Sequence, residues 1–374
     1  MNCPYIYQSM TAYSPLTTLR SPTPAQLGFR MSAEWEPHAA TWLAWPHNRD
    51  TWPGMDSAIA AVYVQLIAAL HQDERVHICV NDSETAGRVR HTLNAAGMDL
   101  ARIGIYEIPT NDAWTRDHGP IFLTRQHGQI IELGLTDWTF NAWGAKYPPW
   151  DLDDRVPERI AQYLNLSSFT PDMVLEGGSI DVNGRGMLLT TESCLLNPNR
   201  NPTLTRSDIE PILKEFLGVH HIGWLGEGIV GDDTDGHVDD IARFVSPTTV
   251  VCAVEDDPTD MNYKSLQDNL HRLRSMRDQD GQPLRVVPLP MPGPVEYAAE
   301  RLPASYANFY IANRTVLVPT YDHPHDRTAQ AVLQELFPGR RIRGIPCREL
   351  VIGLGALHCV TMQQPACDRN YQPT

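Results

Sequence analysis

An α/β fold with alternating strands and helices is what three features of this 374-residue sequence predict. Short apolar runs rich in Val and Ile alternate with segments whose apolar residues recur at helical spacing. Helical segments begin near residues 154, 206, 260 and 325, at similar intervals, which hints at repeated β/α modules although no residue-level repeat is visible. A hydrophobic content of 42% is ample for a large core, and one large α/β domain is favoured over two.

In chain order, residues 1–29 contain no Asp or Glu, are rich in Ser, Thr and Pro, and have Arg20 as their only basic residue. That composition is a poor targeting signal and reads as a disordered extension. A single catalytic domain is expected over residues 30–366, with structure starting near Met31, followed by a short tail over 367–374. Ala40 to Trp45 is strand-like. Ile59, Val62, Leu66 and Leu70 then form the one-sided stripe of a helix over 56–71. A strand is expected at 76–80, a helix at 83–96 and a strand at 103–108. Further helices are expected at 154–164, 206–217, 260–277 and 325–336, each between apolar strand runs.

The formal charge of −15 disfavours nucleic acid and anionic membrane surfaces as partners and favours a small cation. No apolar run reaches the ~18 residues of a membrane-spanning helix. Seven scattered cysteines with no C-x-x-C pair suit a reducing compartment, and with no secretory signal pattern the cytoplasm is the expected location.

Gly231-Asp232-Asp233-Thr234-Asp235-Gly236-His237-Val238-Asp239-Asp240 crowds five carboxylates and a histidine into ten residues. Carboxylates this close repel one another and are costly to desolvate unless a cation, a metal or a catalytic task compensates. An exposed acidic turn would also account for them. A calcium loop would not: with Gly236 at the sixth position, Gly231 and Ala242 occupy the first and twelfth, where an EF-hand needs acids. A zinc site wants more His or Cys than this loop supplies. On an extended backbone His237 and Asp239 would point to the same side.

Three other segments carry chemistry. Asn111 to Pro120 offers Trp114, Arg116 and Asp117 ahead of a strand starting at Pro120, although an ordinary turn with a local ion pair would look alike. Leu175-Glu176-Gly177-Gly178-Ser179-Ile180 interrupts an apolar strand with an acid and two glycines, a sign of close backbone approach. Cys359 follows a glycine-containing turn. A buried inert thiol is the common fate of such a residue, but a cysteine with separate His and acid candidates is also the pattern of thiol catalysis.

Together Trp-Thr-Arg-Asp-His-Gly-Pro (114–120), Glu-Gly-Gly (176–178), Gly-Asp-Asp-Thr-Asp-Gly-His-Val-Asp (231–239) and His-Cys (358–359) resemble the agmatine deiminase family of guanidine-modifying enzymes. Phe140 to Gly144 and Cys194 to Pro202 are similar to it as well. The resemblance implies a single-domain, five-module α/β propeller of pentein type, with pseudo-fivefold symmetry and a central active site. It maps the nucleophile onto Cys359, the general acid/base onto His237 and that histidine's carboxylate partner onto Glu176. Asp117 and Asp239 match the guanidinium-binding pair, which suits the five donors of a planar guanidinium.

The implied reaction is hydrolysis of agmatine to N-carbamoylputrescine and ammonia through a thiouronium adduct, with no metal or cofactor. Free arginine or a peptidyl arginine is the rival substrate, and a non-catalytic polyamine- or guanidine-binding protein the rival class. Agmatine has no carboxylate, so Trp114 and Trp143 would line an apolar channel and Asp233 would take the distal ammonium. A homodimer is left open. Gly353-Leu354-Gly355-Ala356-Leu357 departs from the family's usual Gly-Gly-Gly, Leu354 adding a side chain to the loop ahead of His358 and Cys359.

Overall fold

The computed structural model describes residues 22–368, and they form an α/β fold. Among the described residues, five sheets of three or four strands share one wiring, an antiparallel pair joined through a helix to a parallel neighbour. Thus Ala242–Ser246 pairs antiparallel with Thr249–Val254, the chain crosses through helix Tyr263–Ser275, and Arg285–Pro290 returns parallel. Tyr310–Ile311, Thr315–Thr320 and Arg341–Pro346 do the same around helix His325–Leu336. Asp181–Val182, Met187–Thr191 and His221–Leu225 do so around helix Arg206–Leu217. Phe29–Met31 adds an outer strand to Ile121–His127, Ile130–Thr136 and Ser167–Phe169. In the remaining sheet the antiparallel neighbour of His38–Ala44 is Met362–Pro365, from the far end of the sequence, and Arg75–Val80 and Ile103–Glu107 complete it in parallel.

Local chemistry accounts for the helix boundaries. Asp82 caps helix Ser83–Ala95 by accepting from Thr85 N. Thr205 and Asp208 form a reciprocal capping box at the start of Arg206–Leu217, and Gly218 ends that helix at φ 65°, a conformation glycine adopts without steric cost. Helix Asp56–Leu70 buries Ile59, Val62, Leu66 and Leu70 as the stripe requires. Helix Tyr263–Ser275 is shorter than 260–277, since Asp257 to Asp260 form a turn closed by side chain to backbone bonds.

The core lies on both faces of the sheets. In strand His38–Ala44, Leu43 joins one apolar cluster while Trp42 and Ala44 join another on the opposite side. The expected extension over residues 1–29 needs correction where it is described. Ala25 N donates to Glu215 O at 3.0 Å and Phe29 is buried, so residues 22–29 are bound to the fold, while 1–21 lie outside the described residues. Of the expected tail, Asp368 is held by paired bonds to Ile131. No described helix is long and apolar enough to cross a membrane.

Candidate active site

Asp117, Glu176, His237, Asp239 and Cys359 lie in loops and single helical turns at strand ends, and all are buried. Asp117 sits in the turn Thr115–His118, whose Arg116 N donates to Cys359 O at 3.0 Å, fastening the turn to the cysteine loop. The Asp117 carboxylate accepts Gly178 N on one oxygen at 2.9 Å and Trp143 Nε1 on the other at 3.0 Å. Trp143 makes that bond from a left-handed backbone position, φ 54°.

Glu176 does not interrupt a strand, because Gly177–Ser179 coils into a 3₁₀ turn. Close approach is the reason for the glycines. A Cβ on Gly177 would fall 2.2 Å from Arg116 O, and one on Gly178 would fall 2.6 Å from His237 Nδ1 and 2.7 Å from an Asp117 oxygen. Gly178→Ala is therefore expected to push His237 and Asp117 off their positions and to lower kcat by about a hundredfold or more. Steady-state kinetics with a melting curve would check it, and a near-wild-type kcat would refute the crowding.

Val238–Asp240 is likewise a 3₁₀ turn, so the extended geometry expected to align His237 with Asp239 is absent. The two face different partners. His237 Nδ1 stands 3.7 Å from Asp117 and Nε2 4.0 Å from Glu176. Glu176 is anchored by Arg200 Nε at 2.6 Å on its other oxygen. Burial works against an imidazolium, yet Asp117, the Cys194 sulfur and Glu176 outweigh it and hold the His237 pKa well above its ordinary value.

Asp239 faces His358, whose Nδ1 lies 2.6 Å away and whose Nε2 lies 2.8 Å from Glu34. Glu34 is in turn flanked by Arg243 at 2.9 Å and Arg116 at 3.2 Å. Burial opposes ionisation of Asp239, but the bond to His358 holds its pKa below the usual carboxylate range. Its Oδ1 is buried with no hydrogen-bond partner among the described residues. An orphaned carboxylate oxygen of this kind is costly unless a ligand's donors complete it.

Cys359 Sγ lies 3.9 Å from Asp239 Oδ2 and accepts from Asn308 Nδ2 at 3.1 Å. Burial, then Asp239, Asp240 and Asp117, push the thiol well above its ordinary pKa. A bound cation would reverse much of that effect. Cys359 and Asp117 open onto a cavity of about 850 Å3 whose wall also carries Trp114, Trp143, Asp233 and Leu354. Asp233 is not idle there: Tyr147 OH donates to its carboxylate and Lys146 Nζ to its carbonyl. Leu354 takes φ 70°, so the left-handed turn that glycine would favour is kept despite the side chain.

The structure thus brings together all five residues proposed for the reaction, and places Trp114, Trp143 and Asp233 on the cavity wall. Sequence reasoning missed Asn308, Glu34 and Arg200, which act on the site from distant segments, and left His358 without a role. Only Arg200, inside the family-like stretch from Cys194 to Pro202, carried a signal.

Known proteins resemble the chain over most of its length. The Porphyromonas-type peptidyl-arginine deiminase family matches residues 30–365. An agmatine deiminase of Ectopseudomonas mendocina is 40% identical, over 94% of this chain and 99% of its own. The structure of an Enterococcus faecalis agmatine deiminase superposes with a TM-score of 0.87 at 36% identity, covering 92% of this chain and 98% of its own. A C. jejuni agmatine deiminase with substrate bound gives 0.80 at 29% identity, covering 91% and 97%.

Proposed function

The chain belongs to the agmatine deiminase family, and on that premise we propose that it hydrolyses a C–N bond of agmatine, giving N-carbamoylputrescine and ammonia, with Cys359 as nucleophile. One observation carries the assignment of the guanidinium subsite: the unpartnered Asp239 Oδ1 is buried beside Cys359, which itself opens with Asp117 onto the cavity. A guanidinium between the two carboxylates fills their acceptor sites with its fixed fork of donors and neutralises their charge.

Substrate binding also activates the thiol. The carboxylates that hold the Cys359 proton in place are offset by the incoming cation, so the proton leaves to solvent and the thiolate forms beside the guanidino carbon. Asn308 Nδ2 steadies that sulfur by donation. Attack forms the C–S bond, the protonated His237 gives its proton to the departing nitrogen, and ammonia leaves a thiouronium adduct. His237, now neutral, removes a proton from water as its oxygen attacks the same carbon. The C–S bond breaks, the new hydroxyl gives its proton to solvent as the carbonyl of N-carbamoylputrescine forms, and the thiolate returns. Glu176, fixed by Arg200, orients the imidazole throughout.

We further infer that the five sheets stand around one axis as a pseudo-fivefold propeller. The shared wiring supports this, as does the convergence of loops from separate sheets on one floor. The apolar Trp114 and Trp143 walls suit a tetramethylene tail, and Asp233 suits its ammonium. Ammonia release compared across agmatine, free arginine and a peptidyl arginine tests the substrate, with agmatine expected to be turned over fastest. Preference for peptidyl arginine would move the assignment to the other named branch of the family.

Asp233→Asn is expected to raise KM for agmatine about tenfold while altering turnover of a guanidine with an uncharged tail little. Equal losses for both substrates would remove Asp233 from the ammonium end. Exhaustive dialysis against a chelator is expected to leave turnover intact, because a complete set of acid, base and nucleophile is present. Loss restored by one particular divalent ion would overturn the metal-free scheme.

A further inference from the structure

The Asp-rich loop lacks zinc-ligand partners only along the sequence, because the fold delivers them from elsewhere. Cys194 follows strand Met187–Thr191 in the turn Glu192–Leu195, and its N–H is held by Thr191 Oγ1 at 3.2 Å. The same hydroxyl donates to Gly236 O at 2.6 Å, which ties this turn to the residue before His237. As a result a donor atom of Cys194, one of Glu176 and one of His237 all lie within 4.8 Å of one another. All three side chains are buried.

Two of the three residues also have an unfilled polar atom aimed at the other: His237 Nε2 and Glu176 Oε2 are buried without a hydrogen-bond partner among the described residues. Arg200 occupies the other Glu176 oxygen, which fixes the carboxylate and leaves one oxygen for coordination. Zinc bonds of about 2.0–2.3 Å put tetrahedral ligand atoms roughly 3.3–3.7 Å apart, so side-chain shifts on the order of 1 Å would close the set. Asp117, on the cavity wall, is 3.7 Å from the other nitrogen of His237, so the triad lies one side chain behind the cavity.

We propose that Glu176, Cys194 and His237 form an inhibitory binding site for a thiophilic divalent cation, Zn2+ or Cd2+. Binding forms M–S, M–N and M–O bonds, a fourth position stays open to water, and the displaced thiol and imidazole protons pass to solvent. Metal on Nε2 separates His237 from Glu176 and removes its proton-transfer capacity. That inhibitory half rests on the proposed role of His237, whereas the binding half does not.

Cd2+ is the probe, because a Cd–thiolate bond adds a charge-transfer absorbance in the ultraviolet. Titrated into the full-length protein, Cd2+ is expected to give a band that is lost in Cys194→Ser and kept in Cys359→Ser. In parallel, Cd2+ or Zn2+ is expected to suppress ammonia release from agmatine, with a midpoint shifted at least about tenfold upward in Cys194→Ser, each protein being compared with its own metal-free rate. Cys194→Ala, which avoids a buried hydroxyl, serves as the second variant, and melting curves establish that the variants fold. Mg2+ at equal concentration is expected to do nothing. A band that survives in both Cys194 variants, a band lost in Cys359→Ser, or equal inhibition by Mg2+ overturns the site. A Cys194-dependent band with unchanged turnover sustains the site and instead removes His237 from the reaction.

Discussion

Cys359→Ser is expected to lower ammonia release from agmatine by at least about 10⁴-fold with the melting midpoint nearly unchanged. The hydroxyl that replaces the thiol is far less easily ionised, and the same three carboxylates that raise the thiol pKa would suppress the alkoxide even more strongly. Mass spectrometry of the wild-type protein during turnover is expected to show a transient adduct on the peptide carrying Cys359. Substantial turnover by the serine variant, or an adduct on another cysteine, would sink the covalent scheme. Burial lifts the thiols of Cys79 and Cys252 to about 12, and substitutions there are expected to change turnover only a few-fold. Cys194 is the exception, because it stands against His237 and Glu176.

Asp117→Asn and Asp239→Asn carry the other large effect. Leaving one partner of a buried charged pair unmet typically costs about 2–5 kcal/mol, which is roughly 30-fold to several-thousand-fold in rate. The loss is expected in kcat as well as in kcat/KM, since both carboxylates are proposed to hold the cation whose carbon is attacked. The two variants should nevertheless differ in scope. Asp117→Asn also removes a charge that keeps His237 protonated, so it weakens departure of ammonia directly. Asp239→Asn leaves His358 between Glu34 and a neutral amide. Effects confined to KM in both would show that the guanidinium binds elsewhere.

The sequence made the strands and helices legible because each helix buries one stripe and each crossover repeats the same alternation. Ile59, Val62, Leu66 and Leu70 needed no tertiary information to be read as a buried face. The chemistry-bearing residue types were legible too, since five acids around one histidine demand compensation. Geometry was not. The pairing of His237 with Asp239 rested on an extended backbone that is in fact a 3₁₀ turn, and Asn308 sits in an apolar stretch where its side chain bonds to Cys359 across 51 positions. Long-range partners of that kind leave no spacing to read. Cys194 shows the converse: the sequence places it in a family-like stretch, but its position against His237 follows from strand pairing and from the Thr191 bridge.

The pairing of Met362–Pro365 with His38–Ala44 bears on when the protein becomes an enzyme. A ribosome delivers the second of these strands more than three hundred residues after the first, and Cys359, the proposed nucleophile, precedes that second strand by only a short turn. The emerging chain therefore holds Asp117, Glu176 and His237 while it still lacks both the sulfur and the strand that closes the first sheet. Non-local pairings of this kind are slow to form and leave an open sheet edge meanwhile. Activity thus waits for residues 359–365 to be made, and the vulnerable interval is the one in which the edge of His38–Ala44 waits for its partner.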